Sequence, residues 1–232
     1  MENLLFPAPP LRTVPVKGKA GLYPVNRIFC VGRNYVEHAK EMGVEVDREA
    51  PFYFTKSPSA LAASGQTLPY PPGTENFHYE MELVIAIGVP LFKAGPGLAR
   101  AAILGYAAGL DMTRRDLQLA ARAKQRPWDT GKDVENSAII GAITPAEAVG
   151  EIGPQRIALT VNRDVKQEAR LSDLVWSVEE LVAHLSGLYH LVPGDLIYTG
   201  TPAGVGAVVP GDVIEGTIDG LDPVRLTVGL PE

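Results

Sequence analysis

The segment Tyr79-Glu80-Met81-Glu82-Leu83-Val84-Ile85-Ala86-Ile87, within a strand expected over 79–89, decides the reading of this chain of 232 residues. A strand alternates its side chains, so Met81, Leu83, Ile85 and Ile87 share one face and Glu80, Glu82, Val84 and Ala86 the other. Apart from the two glutamates both faces are apolar, which reads as a strand covered on both sides. Two carboxylates about 7 Å apart on one such face repel each other and lose solvation. A bound cation removes that penalty, and an all-oxygen donor set suits Mg2+, Mn2+ or Ca2+ better than zinc or copper. The spacing also allows an exposed strand end on which the glutamates merely solubilise an edge. Asp111 ends the apolar run 105–110 just ahead of Thr113. That is a place for a third ligand or for an ordinary cap or Asx turn. Asp111 and the glutamate pair gain weight only together.

The rest of the chain reads as turns, strands and a few short helices. Residues 27–31 are a β-rich run ended by Gly32, and Asn34 with Glu37 resembles a capping box opening a helix of about two turns, which Gly43 closes. A polar loop is expected over 43–50, a strand over 51–55 and turn chemistry over 65–72. The stretch 99–108 reads as a helix running into a buried strand. Thr113 with Asp116 resembles a second capping box, for a helix reaching about Lys124 and stopped before Pro127. An amphipathic helix is expected over 178–191, with Leu181, Val182, Leu185 and Leu188 on its apolar stripe. Pro193-Gly194-Asp195 and Pro210-Gly211-Asp212 open twin turn-to-strand units, too short to mark a structural repeat. No linker-like stretch divides the chain. The expectation is an arm or edge strand over 1–22 and a single catalytic domain over 23–232, of the α+β class.

Composition excludes several functions. The 24 glycines and 20 prolines exceed average usage, but with 46% hydrophobic residues they imply a turn-rich folded chain, not low complexity. A net charge of −6 disfavours a protein that coats nucleic acid. One cysteine excludes an internal disulfide framework and a cysteine-rich zinc site, and Cys30 itself reads as core. No basic segment followed by an apolar one opens the chain, and the longest apolar run, 83–92, is short of the roughly 20 residues that span a bilayer. A soluble cytoplasmic protein is expected. The sequence has no G-x-x-x-x-G-K-[ST], G-x-G-x-x-G or G-x-S-x-G pattern, which disfavours nucleotide binding and serine hydrolysis. A non-catalytic module using the glycine-rich loop 200–206 as an anion nest stays open.

On the helix after Asn34, His38 and Glu41 lie three apart and face the same way. The carboxylate can hold one imidazole nitrogen and leave the other to take a proton from water, or the pair can be a plain surface contact. His184 and His190 lack ligand spacing and read as structural, and His78 sits beside the acidic strand as a supporting group. Taken together, Cys30–Tyr35 (Cys-Val-Gly-Arg-Asn-Tyr), His38 with Glu41, Glu80 with Glu82, the Leu110–Gln118 stretch and the Pro193–Gly206 loop resemble the fumarylacetoacetate hydrolase family. The likeness runs from about residue 23 to 220. It is nearest to the family's short bacterial members, the fumarylpyruvate hydrolases of the gentisate pathway.

The resemblance implies a mixed β-sheet roll with a barrel-like core and a homodimer acting on a small anionic 2-oxo acid. It implies that Glu80, Glu82 and Asp111 ligate Mg2+ or Mn2+. His38 and Glu41 would activate water on a lid-like segment, and Lys132 would stabilise an oxyanion. Arg115 and Gln118, three apart on one helix face, would hold the oxo-acid end. Thr201 would belong to the glycine-rich loop of the site, with Tyr198 and Lys56 as further pocket positions. The implied reaction is hydrolytic C–C cleavage of an acylpyruvate. Decarboxylation, isomerisation or hydration of another 2-oxo diacid, such as oxaloacetate, is the alternative on the same scaffold.

Overall fold

The structure is a computed structural model that describes residues 4–43 and 48–232. The expected 43–50 loop and the start of the arm therefore fall partly outside the described residues. Met81–Ile87 is a strand buried along its whole length, as the apolar character of both faces requires. It is a central member of a mixed eight-stranded sheet whose main path runs Phe52–Lys56, Arg27–Gly32, Asp195–Tyr198, Met81–Ile87, Ile103–Asp111, Ala138–Ile140, Leu61–Ala63. Its two faces enter different cores. Met81, Leu83, Ile85 and Ile87 pack with Ile157, Leu159, Ile214 and Leu226 of a five-stranded sheet and with Leu181, Val182 and Leu185 of the Val178–Leu188 helix. Val84 and Ala86 pack on the other side with Ile28, Cys30, Leu196 and Tyr198. Burial pushes the Cys30 thiol well up, as its place in that core demands. The sheets and short helices make an α+β fold, with the mixed-sheet roll expected from the resemblance.

The strand expected over 79–89 is divided at Glu80. Phe77–Tyr79 belongs to a small three-stranded sheet with Thr113–Arg114 and Gly206–Val208, whereas Met81–Ile87 belongs to the large one. Ile103–Asp111 passes to Thr113–Arg114 by the same change of sheet, and Asp195–Tyr198 leads through the glycine-rich loop to Gly206–Val208. Three chain segments thus leave the large sheet at one end. Backbone there is released from strand pairing, and the polar residues of all three segments converge.

Several local expectations are corrected. Residues 66–69 are not a turn but a strand, paired in parallel with Val224–Gly229. Neither expected capping box forms. Asn34 is fully buried and ties distant segments together, its Nδ2 donating to the Thr199 carbonyl at 2.8 Å and its Oδ1 accepting from the Trp176 N–H at 2.8 Å. The Asp116 carboxylate accepts from Thr74 Oγ1, and Thr113 faces Lys132, so that pair too serves tertiary contacts. A capping box does form at Ser177 with Glu180, where it opens the Val178–Leu188 helix. That helix ends before Leu191, and Leu188 is exposed rather than part of the stripe. The twin Pro-Gly-Asp turns share their local bonds: the Val192 and Val209 N–H groups donate to Asp195 and Asp212. They feed different sheets, which confirms that the echo is turn chemistry. The N-terminal segment forms Thr13–Pro15, paired with Leu22–Pro24, so the boundary expected after residue 22 cuts a hairpin. No helix among the described residues is long and apolar enough to cross a membrane.

Candidate active site

Glu80, Glu82 and Asp111 are all buried, and one carboxylate oxygen from each lies within 4.8 Å of the others. Antiparallel pairing explains the meeting. Glu82 sits opposite Gly109, and the Asp111 N–H donates to the Glu80 carbonyl at 2.9 Å. The alternation of the central strand therefore points both glutamates to one side, and its neighbour delivers Asp111 beside them.

Three cations approach this cluster. Lys132 Nζ donates to Glu80 Oε2 and Asp111 Oδ2, each at 2.7 Å, and to Thr113 Oγ1 at 2.8 Å. Arg115 donates to the other Glu80 oxygen and, at 2.7 Å, to Gln118 Oε1. Lys56 Nζ lies 2.9 Å from Asp111 Oδ1 and donates to Ser137 Oγ at 2.6 Å and to the Met112 and Lys132 carbonyls. Burial alone would raise Glu80, but Lys132 and Arg115 hold its carboxyl well below the usual range. Among the described residues Glu82 forms no salt bridge, and its carboxylate accepts from the Gly200 N–H at 2.8 Å. Burial, then Asp111 and Glu80, push its carboxyl well above the usual range. A buried carboxylate without a salt bridge of its own, in an all-oxygen cluster, fits a hard divalent cation such as Mg2+ or Mn2+.

Lys132 reaches the cluster because two helices touch closely. A Cβ on Gly131 would stand 2.7 Å from the Gln118 backbone nitrogen, so only glycine lets the Asp129–Lys132 helix approach the Arg115–Ala123 helix this far. On another wall, His38 Nδ1 pairs with Glu41 Oε2 at 3.1 Å, which leaves Nε2 as the basic nitrogen. Glu41 is held in turn by the Gly204 N–H, 3.2 Å from each carboxylate oxygen. Gly204 has φ of 97° and stands against the Lys166 carbonyl, where a Cβ would come within 2.0 Å. The glycine-rich loop is thus the anchor of the His38–Glu41 pair.

His38, Glu80, Glu82, Arg115, Gln118, Lys132 and Thr201 line one cavity. Lys56 stands behind Asp111 instead, where it positions that carboxylate. Tyr198 is corrected: it is fully buried in the core, donates to the Ile139 carbonyl at 3.1 Å and does not line the cavity. Sequence reasoning missed Gln167, which donates to Thr201 Oγ1 at 2.9 Å and to the Pro202 carbonyl at 2.7 Å. It also missed Thr113, Ser137 and the tertiary role of Asn34. Gln167 lies on a strand whose neighbours are polar and mostly exposed, so no periodicity signals it.

His78 fits the supporting place expected for it. Its Nε2 pairs with Asn76 Oδ1 at 2.8 Å and its Nδ1 faces Arg115 Nε at 3.5 Å. Burial, then Arg115, lowers its pKa from 6.5 to about 4. The folded protein therefore resists a proton that the unfolded chain accepts. Stability from this group is complete above about 6.5 and is lost as the pH falls toward 4. His78→Gln should flatten the decline in melting temperature over that window, measured against the wild-type protein in matched buffers.

Residues 27–229 match the family described as fumarylacetoacetate (FAA) hydrolase C-terminal. A fumarylpyruvate hydrolase of Ralstonia sp is 56% identical over 193 residues, 82% of this chain and all of that protein. The oxaloacetate tautomerase YcgM of Escherichia coli strain K12 is 38% identical, covering 85% of this chain and 90% of its own length. Among solved structures, fumarylpyruvate hydrolase from Pseudomonas aeruginosa in complex with Mn2+ and pyruvate superposes with a TM-score of 0.94 at 45% identity, over 98% of this chain and 100% of the other. The chain belongs to the fumarylacetoacetate hydrolase family.

Proposed function

We propose that this chain hydrolyses a carbon–carbon bond of an acylpyruvate, with fumarylpyruvate, cleaved to fumarate and pyruvate, as its substrate. The observation that carries this reading is that Glu80 and Glu82 of the buried carboxylate cluster and His38, backed by Glu41, open on one cavity, with Asp111 directly beside the two glutamates. Glu80, Glu82 and Asp111 would hold Mg2+ or Mn2+, which when bound supplies Lewis-acid polarisation of the substrate's carboxylate and 2-oxo group. The similarity to a structure holding Mn2+ and pyruvate supports that assignment.

The residues of the chain supply the remaining chemistry. His38 Nε2 takes a proton from water as the water oxygen attacks the C4 carbonyl carbon, and Glu41 stabilises the imidazolium that forms. Lys132 has all three of its donors engaged. Turning one of these donors from its present acceptor would aim the ammonium at the oxyanion that develops on C4. Breaking the C3–C4 bond leaves the electron pair on C3, and the proton held by His38 returns there to give pyruvate. The acyl part leaves as a carboxylic acid. Gln118, whose Oε1 is occupied by Arg115, turns its NH2 toward the oxo-acid end, and Gln167 orients Thr201. The reading extends to a cytoplasmic homodimer in the gentisate route of aromatic degradation.

A second reading rests on the relative that is an oxaloacetate tautomerase. One panel separates the two: fumarylpyruvate, acetylpyruvate, fumarylacetoacetate and oxaloacetate, each followed by pyruvate release and by loss of the enol absorbance. Multiple-turnover pyruvate release from an acylpyruvate is expected. Enol–keto conversion of oxaloacetate, with no acylpyruvate cleaved, would replace the hydrolase reading with the second one.

A further inference from the structure

The cavity lined by Glu80 and Glu82 is about 40 Å3, room for an ion or a few waters but not for a whole acylpyruvate. The bulk of the substrate must therefore lie elsewhere. Adjoining the cavity is a groove of about 520 Å3, within the range of small-molecule sites, and the two share Arg33, Phe54, Arg122 and Trp128 in their walls. Lys132 Nζ is 4.9 Å from the Phe54 ring centroid, Phe54 is 6.1 Å from Trp128, and Trp128 is 5.0 Å from Phe52. An aromatic wall thus runs from the oxyanion lysine outward. It suits a flat, conjugated acyl chain.

The charges along this path fall into two groups. Arg115 and Lys132, at the inner end, are neutralised by Glu80 and Asp111. Arg33 and Arg122, farther out, form no salt bridge to a carboxylate among the described residues. The Arg33 guanidinium is 5.5 Å over the Phe52 ring, and Arg122 Nη1 donates only to the Met42 carbonyl, at 3.2 Å. Arg126 and Asp129, of opposite charge, also line the groove. Arg33 has a left-handed backbone, φ 61°, uncommon for a residue other than glycine. An acylpyruvate whose oxo-acid end enters the inner cavity lays its acyl end beside these two guanidinium groups.

We propose that Arg33 and Arg122 bind a carboxylate at the far end of the acyl chain, so that the site selects 2,4-dioxo acids carrying this second carboxylate over those with a neutral acyl group. The inference rests on the hydrolase reading above and gives it a specificity. Guanidinium groups pair with carboxylates through two parallel hydrogen bonds, and these two offer such pairing without first releasing an internal carboxylate.

The test compares kcat/KM for fumarylpyruvate and acetylpyruvate in the wild-type protein and in Arg33→Gln, Arg122→Gln, Arg33→Lys and Arg122→Lys. Wild type should favour fumarylpyruvate. Each glutamine exchange should lower the fumarylpyruvate-to-acetylpyruvate ratio about tenfold or more, as expected for the loss of a charged hydrogen bond, with partial recovery in the lysine variants. Equal losses on both substrates would show that the arginines only support the fold and would overturn the proposal. So would a wild-type enzyme without preference. Calorimetric titration with fumarate and with crotonate, its counterpart lacking one carboxylate, needs no turnover and separates this proposal from the reading beneath it. Tighter fumarate binding that both glutamine exchanges weaken keeps the arginine site even if no acylpyruvate is cleaved. Fumarate and crotonate bound alike refutes it even if hydrolysis proceeds.

Discussion

Glu82→Gln is expected to lower kcat/KM for acylpyruvate hydrolysis by about 1,000-fold or more, the equivalent of the several kcal/mol that a bound cation contributes to such a transition state. The metal-free variant should nevertheless be as stable as the wild-type protein or more so. Glu82 is buried with one backbone N–H as its hydrogen-bond donor, and burial together with Asp111 and Glu80 opposes its ionisation. A neutral amide of the same shape removes that opposition without opening a cavity. Added Mn2+ should stabilise wild type by about 2.7 kcal/mol at a hundredfold excess over its Kd, and should leave Glu82→Gln unchanged. Because the raised carboxyl must lose its proton to serve as a ligand, Mn2+ binding should release protons and tighten as the pH rises. Calorimetry in buffers of different ionisation enthalpy reads that release directly. Chelator-resistant hydrolysis, or a Glu82→Gln enzyme within tenfold of wild type, would remove the cation from the mechanism.

His38→Ala should separate binding from chemistry. A general base contributes about 100-fold to 10,000-fold, so kcat should fall by that factor while Mn2+ affinity stays at the wild-type value. His38 belongs to the Val36–Glu41 helix and makes none of the bonds that hold the three carboxylates. Glu41→Gln should produce a smaller loss, because the amide still reaches the Gly204 N–H but no longer stabilises an imidazolium. Unimpaired hydrolysis by His38→Ala would assign proton transfer to another group.

How legible the site was depended on the range of the contacts involved. The carboxylate cluster was readable because period-two alternation links Glu80 to Glu82 within one strand, and because Asp111 ends the next long apolar run. The helical spacings of His38 with Glu41 and of Arg115 with Gln118 were readable for the same reason, since each is set by bonds a few residues long. Lys132 and Thr201 became visible only through the family pattern. Nothing local distinguishes a lysine on a four-residue helix from a surface lysine.

The failures share one physical cause. Asn34 and Asp116 carry the side chains of helix caps, yet their polar groups bond to Thr199, Trp176 and Thr74 from distant segments. A cap contributes only about 1 kcal/mol, so a buried polar group that would otherwise go unpaired overrides it. Tyr198 shows the converse: its strand register turns it into the core, away from a cavity its neighbours approach.

The α+β class, the buried central strand with its two faces and the carboxylates set at its end all follow from consecutive residues, because alternation and apolar run length are local properties. Only the packing of distant segments makes the strand change sheet at Glu80, pairs Lys132 and Arg115 with one glutamate while Glu82 forms no salt bridge among the described residues, and brings Arg33 and Arg122 to a groove with no carboxylate partner among those residues. Those outcomes depend on which distant segments are brought within a few ångströms, and electrostatic energy, which falls with distance through space and not along the chain, is settled only there.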